Sequence, residues 1–188
     1  MVWRRTNDLT RAGEPIAGLC LYPPTIGHCL VLADVGIDLF AVESVPDMLM
    51  ACFVLAHADH AEAERDLCRW WTAGFLRLFS WLFVRRFNAA DEAEKFAAYL
   101  KENNETPDVI IKNGSRRGSG TPWVWRLYAA AVAECGLSRA EAMALPIQEA
   151  QLLTAALGEM RGNVELWTDR DEAFWRACEE ADKAKGLT

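Results

Sequence analysis

Residues 123–160, WVWRLYAAAVAECGLSRAEAMALPIQEAQLLTAALGEM, limit what this chain can fold into more than any other stretch. Trp123, Leu127, Ala131 and Cys135 recur every four residues, which places them on one face of a helix. Gly136 is positioned to supply the left-handed residue that closes that helix. Ser138 and Glu141 have the spacing of a capping box for a second helix. Pro146 suits the first turn of a third, whose apolar stripe is Ile147, Ala150, Leu153 and Leu157. Local signals that agree this closely predict a folded helical array. Nothing in the segment can perform chemistry, so it reads as an interaction module.

The remaining composition allows a folded chain and narrows its partners. With 188 residues, the chain can build one core or two small helical units sharing an interface. A 52% hydrophobic content with eight Trp and eight Phe argues against disorder. The formal charge of −7 disfavours nonspecific attachment to nucleic acid or to an anionic membrane, because phosphate affinity rests on clustered cations. Six cysteines, at positions 20, 29, 52, 68, 135 and 178, show no CxxC spacing and read as reduced thiols of a cytoplasmic protein. The start, MVWRRTNDLTRAGEP, contains no apolar run of a secretory signal. Met48–Ala58 is shorter than the ~20 residues a membrane span needs, and Trp70–Val84 carries Arg77 at its middle.

Along the chain, the expected class is mainly α. An N-terminal helical region (1–104) precedes a Gly/Arg-rich loop or linker (105–122) and a C-terminal helical module (123–188). Ile16 to Tyr22 reads as a short strand. Thr25–Val35 reads as a helix started at Thr25, and Ser44, Pro46 and Asp47 announce another over Met48–His57. Ala61–Arg86 is the longest helix candidate, with a break at Gly74 as its weak point. Unbroken, it would extend about 39 Å. Asn88 opens a helix reaching about Leu100, Val109–Lys112 reads as a brief strand, and Thr168 with Asp171 opens a last helix.

Residue types capable of chemistry are present but poorly arranged. His57 and His60, with Cys52, Asp59, Glu62, Glu64 and Cys68 nearby, have helical spacings that can pair metal ligands. The same stretch, HADHAEAERD, also reads as a polar junction between helices, and no metal site is assigned. In 112–120, glycines and Arg116 and Arg117 offer a loop that could hold phosphate, but the Gly-Lys-Ser/Thr ending of a P-loop is missing. The turn at Gly136-Leu137-Ser138 invites a DNA-binding helix-turn-helix reading. Its would-be recognition residues, Arg139, Gln148 and Gln151, stand beside Glu141 and Glu149, which oppose phosphate. No nucleophile elbow or Cys-His pairing stands out, so no catalytic residue and no cofactor is assigned. A DNA-binding protein and a small enzyme with an unrecognised site remain the alternatives.

The helix over Leu67–Phe87 is apolar on several sides. Trp71, Phe75, Leu78 and Leu82 make one stripe, and Trp70, Leu76, Trp81 and Phe83 the others. That pattern predicts a central core helix; the alternative is that part of its aromatic surface is kept for a partner.

The segment Trp123–Glu159, with WVWRLY followed by GLSRAEAMALPIQEA, resembles the tail assembly chaperones and neighbouring tail-assembly factors of long-tailed bacteriophages. The run Tyr22-Pro23-Pro24-Thr25-Ile26-Gly27-His28, leading into VLADVGIDLFAVES and later ACFVLAH, resembles proteins of the same kind. Together these stretches cover about half the chain. The resemblance implies a non-enzymatic binding protein. Its client would be the helical tape-measure protein or other tail components, kept soluble while the tail tube polymerises. Trp70, Trp81, Trp123 and Trp125, with Arg126 beside them, are the expected contacts, and self-association through the same surface is the other use of such rings.

Overall fold

The computed structural model describes residues 15–42, 44–69, 72–104, 109–111, 121–162 and 164–166. The chain is mainly α, with eight α-helices among the described residues. Its axle is α1 (Ile26–Asp34), in which every residue from Ile26 to Leu32 is buried. A helix surrounded on all sides needs no polar face, which is why its sequence, IGHCLVLAD, shows little periodicity. Its start is fixed by Thr25. The Thr25 hydroxyl accepts the His28 N–H at 3.2 Å, and His28 Nδ1 accepts the Thr25 N–H at 3.3 Å, a capping box with histidine in the place usually taken by Glu or Gln.

A single 3₁₀ turn (Leu39–Ala41) capped by Asp38 leads to α2 (Val45–Leu55), capped by Ser44. This helix begins earlier than the expected Met48 because Pro46 lies inside its first turn. The expected helix Ala61–Arg86 is two helices, α3 (His60–Leu67) and α4 (Thr72–Arg86), and the break falls after Leu67, not at Gly74. The two pieces pack differently: α3 lies on both α1 and α2, whereas α4 packs against α2.

α5 (Ala89–Asn103), capped by Asn88, buries Phe96 and Glu92. It also ties down the N-terminal segment, where the expected strand Ile16–Tyr22 is instead a tight turn. Ile16 and Leu19 exchange both backbone hydrogen bonds around Ala17 (φ +53°) and Gly18 (φ +76°). The Ala17 N–H donates to Glu92 Oε2 at 2.5 Å, and the Tyr99 hydroxyl donates to the Tyr22 carbonyl.

The C-terminal array forms as read: α6 (Trp123–Ala133), α7 (Arg139–Ala144) and α8 (Ile147–Met160). Gly136 has φ +70°, and Ser138 and Glu141 form the capping box. The inward stripe of α6 is Val124, Leu127 and Ala131, so Trp123 sits at its edge and Cys135 lies beyond the helix. In α8 only Ile147 and Ala150 are buried. Leu153, expected inside, is 38% exposed because the helix runs out past the core. Val109–Ile111 (β1) pairs antiparallel with Val164–Leu166 (β2), with Val109 opposite Leu166. The helix expected from Thr168 lies outside the described residues.

Two proline-marked segments join the halves. The Ile26 N–H donates to the Leu145 carbonyl at 3.0 Å, and the Ile147 N–H donates to the Pro24 carbonyl at 2.9 Å. Each first-turn N–H, which a helix cannot satisfy internally, is satisfied by the other half of the chain. Val124, Leu127, Ile147 and Ala150 accordingly share one hydrophobic core with α1, α2 and α5.

Candidate partner-binding surface

The aromatic side chains divide between core and surface by helical position. On α4, Phe83 is buried and stacks on Phe87 at 5.6 Å between ring centroids. About half a turn away, Trp81 is 51% and Leu78 55% exposed, against the expectation of a helix central to the core. Arg85 lies over the Trp81 ring, its guanidinium carbon 3.9 Å from the centroid. That stacking holds the indole face outward and keeps it partly dry.

On α6, Trp125 is 45% exposed and packs edge-on against Tyr128 at 5.7 Å. Arg126 beside it is exposed as well. Trp123 is half-buried, its ring tilted against Phe40 at 5.3 Å. The two tryptophans border a hollow of about 360 Å³ that is also lined by Ala33, Ile37 and Leu39. The structure therefore brings Trp123, Trp125 and Arg126 together on one helix and puts Trp81 on another. Trp70 lies outside the described residues. Leu78, read as core, belongs with Trp81. What could have separated them was the arc Gly74, Arg77, Leu78, Trp81 and Arg85, which a helical wheel gathers on one side.

All three histidines converge where α1 meets α3. His60 lies against Gly27, so closely that a Cβ on Gly27 would stand 2.4 Å from His60 Cγ. His60 Nδ1 is 3.2 Å from Asp59 Oδ1, and His57 faces the Phe53 carbonyl (2.9 Å) and Asp66 (3.2 Å). His28 is fully buried. Burial, reinforced by the nearby His60 and His57, lowers its pKa to about 4. Its Nε2 finds no acceptor in hydrogen-bonding geometry. Cys52, deep in the core, is pushed up to about 12 by burial, so it is an inert thiol. Among the described residues, no three or more His, Cys, Asp or Glu side chains are grouped to hold a metal ion.

Of the residues considered for reading DNA, Gln151 is turned inward. Its amide donates to Asn104 Oδ1 at 2.9 Å while its own Oε1 is buried. Arg116 and Arg117 lie outside the described residues. No helix among those residues is long and apolar enough to cross a membrane. Comparison with protein-family models, with curated proteins and with solved structures returns no match for this chain.

Proposed function

We propose that this chain is a non-enzymatic binding protein of phage tail morphogenesis, holding an apolar helical segment of a client such as the tape-measure protein. The observation that carries this reading is the exposure of Trp81 and Trp125, each about half in water on a separate helix. Indole rings are large, rigid contact surfaces that dominate protein association, and leaving two uncovered favours aggregation unless a partner takes them. The net charge of −7 keeps such a surface soluble before its client arrives. The resemblance of 123–159 and of the Pro23-Pro24 region to tail-assembly proteins supplies the client class.

Co-expression with the tape-measure protein tests the reading. Affinity-tagged chain recovers the client, and Trp81→Ala or Trp125→Ala reduces recovery while the helical circular dichroism is unchanged. Parallel loss of recovery and of helical signal would reassign both rings to the core. No recovery by the unaltered chain would end the proposal.

A further inference from the structure

Resting on that reading, we infer that the outer face of α4 is a seam for an acidic amphipathic helix of the client. Gly74, Arg77, Leu78, Trp81 and Arg85 are all exposed and fall within an arc of about 100° on the helix surface. Their spacing, i, i+3, i+4, i+7 and i+11, is that of a single helix–helix seam. Leu78 and Trp81 form its apolar middle. At its start, Gly74 has no atom within 4 Å of where a Cβ would stand, leaving room for a neighbouring backbone to approach.

Charge selects the occupant. Among the described residues, no carboxylate pairs with Arg77 or Arg85, and Arg86 at the helix end is exposed and unpaired too. Elsewhere among the described residues, Arg65, Arg69, Lys95 and Arg161 are each matched by a carboxylate. Lys101, Arg126 and Arg139 are not, but none of them shares a helix face with two exposed large apolar side chains as Arg77 and Arg85 do. An uncompensated cationic border around two apolar side chains fits a helix with an apolar stripe flanked by Glu or Asp, and it repels a basic one. A second copy of this chain is a poorer match. The acidic outer face of α5 presents Ala93, Ala97 and Ala98 between its charges, with no large apolar row to meet Trp81. The seam is also too narrow for insertion into a lipid surface, which takes a broad apolar face.

Fluorescence anisotropy with two labelled helical peptides tests the assignment. Both carry Leu at i, i+3, i+4 and i+7, one flanked by Glu and the other by Lys. The full chain binds the Glu peptide at least tenfold more tightly than the Lys peptide, and added NaCl weakens that binding. Trp81→Ala, Arg77→Glu with Arg85→Glu, and Gly74→Phe (whose Cβ would meet nothing within 4 Å) each weaken it at least tenfold while helical circular dichroism is unchanged. Arg161→Ala, just past α8 and outside the seam, leaves it within twofold. Equal affinity for both peptides, binding of neither, or loss with Arg161→Ala overturns the seam. So does a preference for anionic vesicles or for an oligonucleotide that the same α4 variants abolish. If the charge-reversed variant loses the peptide but still recovers the client, the seam fails and the proposed function stands. If the peptide binds as stated but the tape-measure protein is never recovered, the function fails and the seam stands.

Discussion

Lowering the pH should unfasten the start of α1, and His28 is the reason. Its Nδ1 accepts the Thr25 N–H and lies 3.1 Å from the Thr25 hydroxyl, so the neutral ring carries its proton on Nε2. A second proton must go to Nδ1, which removes an acceptor from the cap and places a charge in a fully buried site flanked by His57 and His60. Asp59 and the His57 backbone offset this only in part, and the folded pKa is about 4 against an ordinary 6.5. The sign follows from which state binds more protons. Between those values the unfolded chain is protonated and the folded chain is not, so stability is intact above 6.5 and falls as pH drops toward 4. At about 1.4 kcal/mol per pH unit, the full loss is about 3 kcal/mol, most of it incurred by pH 4.5.

Urea unfolding at pH 7 and pH 4.5 measures the effect against His28→Asn, whose side-chain oxygen can still accept the Thr25 N–H. The variant is destabilised at pH 7 by about 2 kcal/mol through lost volume. Its further loss on acidification is smaller than that of the unaltered chain by about 2–3 kcal/mol. Parallel losses in the two proteins would refute the assignment and move acid sensitivity to the carboxylates.

Three further outcomes follow from the packing. Gly27→Ala drives a methyl group into the His60 ring and costs about 1–3 kcal/mol in thermal or urea unfolding. His60→Ala restores most of that loss in the double variant, and failure to restore it would place the strain elsewhere. For Glu92, burial pushes the carboxyl upward, but the hydrogen bonds from Lys95 and from the Ala17 N–H outweigh it and hold the pKa below the ordinary value. Its contribution is therefore present above the ordinary carboxylate range and lost as pH falls through the folded pKa. Glu92→Gln should cost about 1–3 kcal/mol at pH 7 and nothing extra in acid. Finally, iodoacetamide on the native chain at neutral pH, read by peptide mass spectrometry, should label exposed Cys20 and Cys68 and spare buried Cys29 and Cys52.

Where the chain's instructions are local, they could be read directly. Thr25, Ser44, Asn88 and Ser138 all cap helices in the structure, because a cap needs only its own side chain and the next two or three N–H groups. Gly136 and the Ser138–Glu141 box were legible for the same reason. The misreadings concern what lies across the fold. Ile16–Tyr22 is a short apolar run that reads as a strand, but Ile16 and Leu19 bond to each other around Ala17 and Gly18, and Glu92, far along the sequence, captures the Ala17 N–H. The split between α3 and α4 goes with packing that no local signal encodes, since α3 reaches α1 as well as α2 while α4 packs against α2. The candidate surface shows the same limit. Trp81 is among the expected contacts, but Leu78 reads as core, and the packing of α4 on α2 is what turns Phe83 inward while Leu78 and Trp81 face water.

The reciprocal bonds between Pro24–Ile26 and Leu145–Ile147 have a temporal consequence. The carbonyl that receives Ile26 is synthesised about 120 residues later. At a translation rate of about 5–20 residues per second, this delay is roughly 6–24 s. Throughout that interval α2 and α3 are already available to α1, but the side that α6 and α7 cover has no partner. A chain ending before Leu145 lacks the carbonyl that receives the Ile26 N–H and leaves that side of α1 open, the kind of exposed apolar surface that chaperones cover.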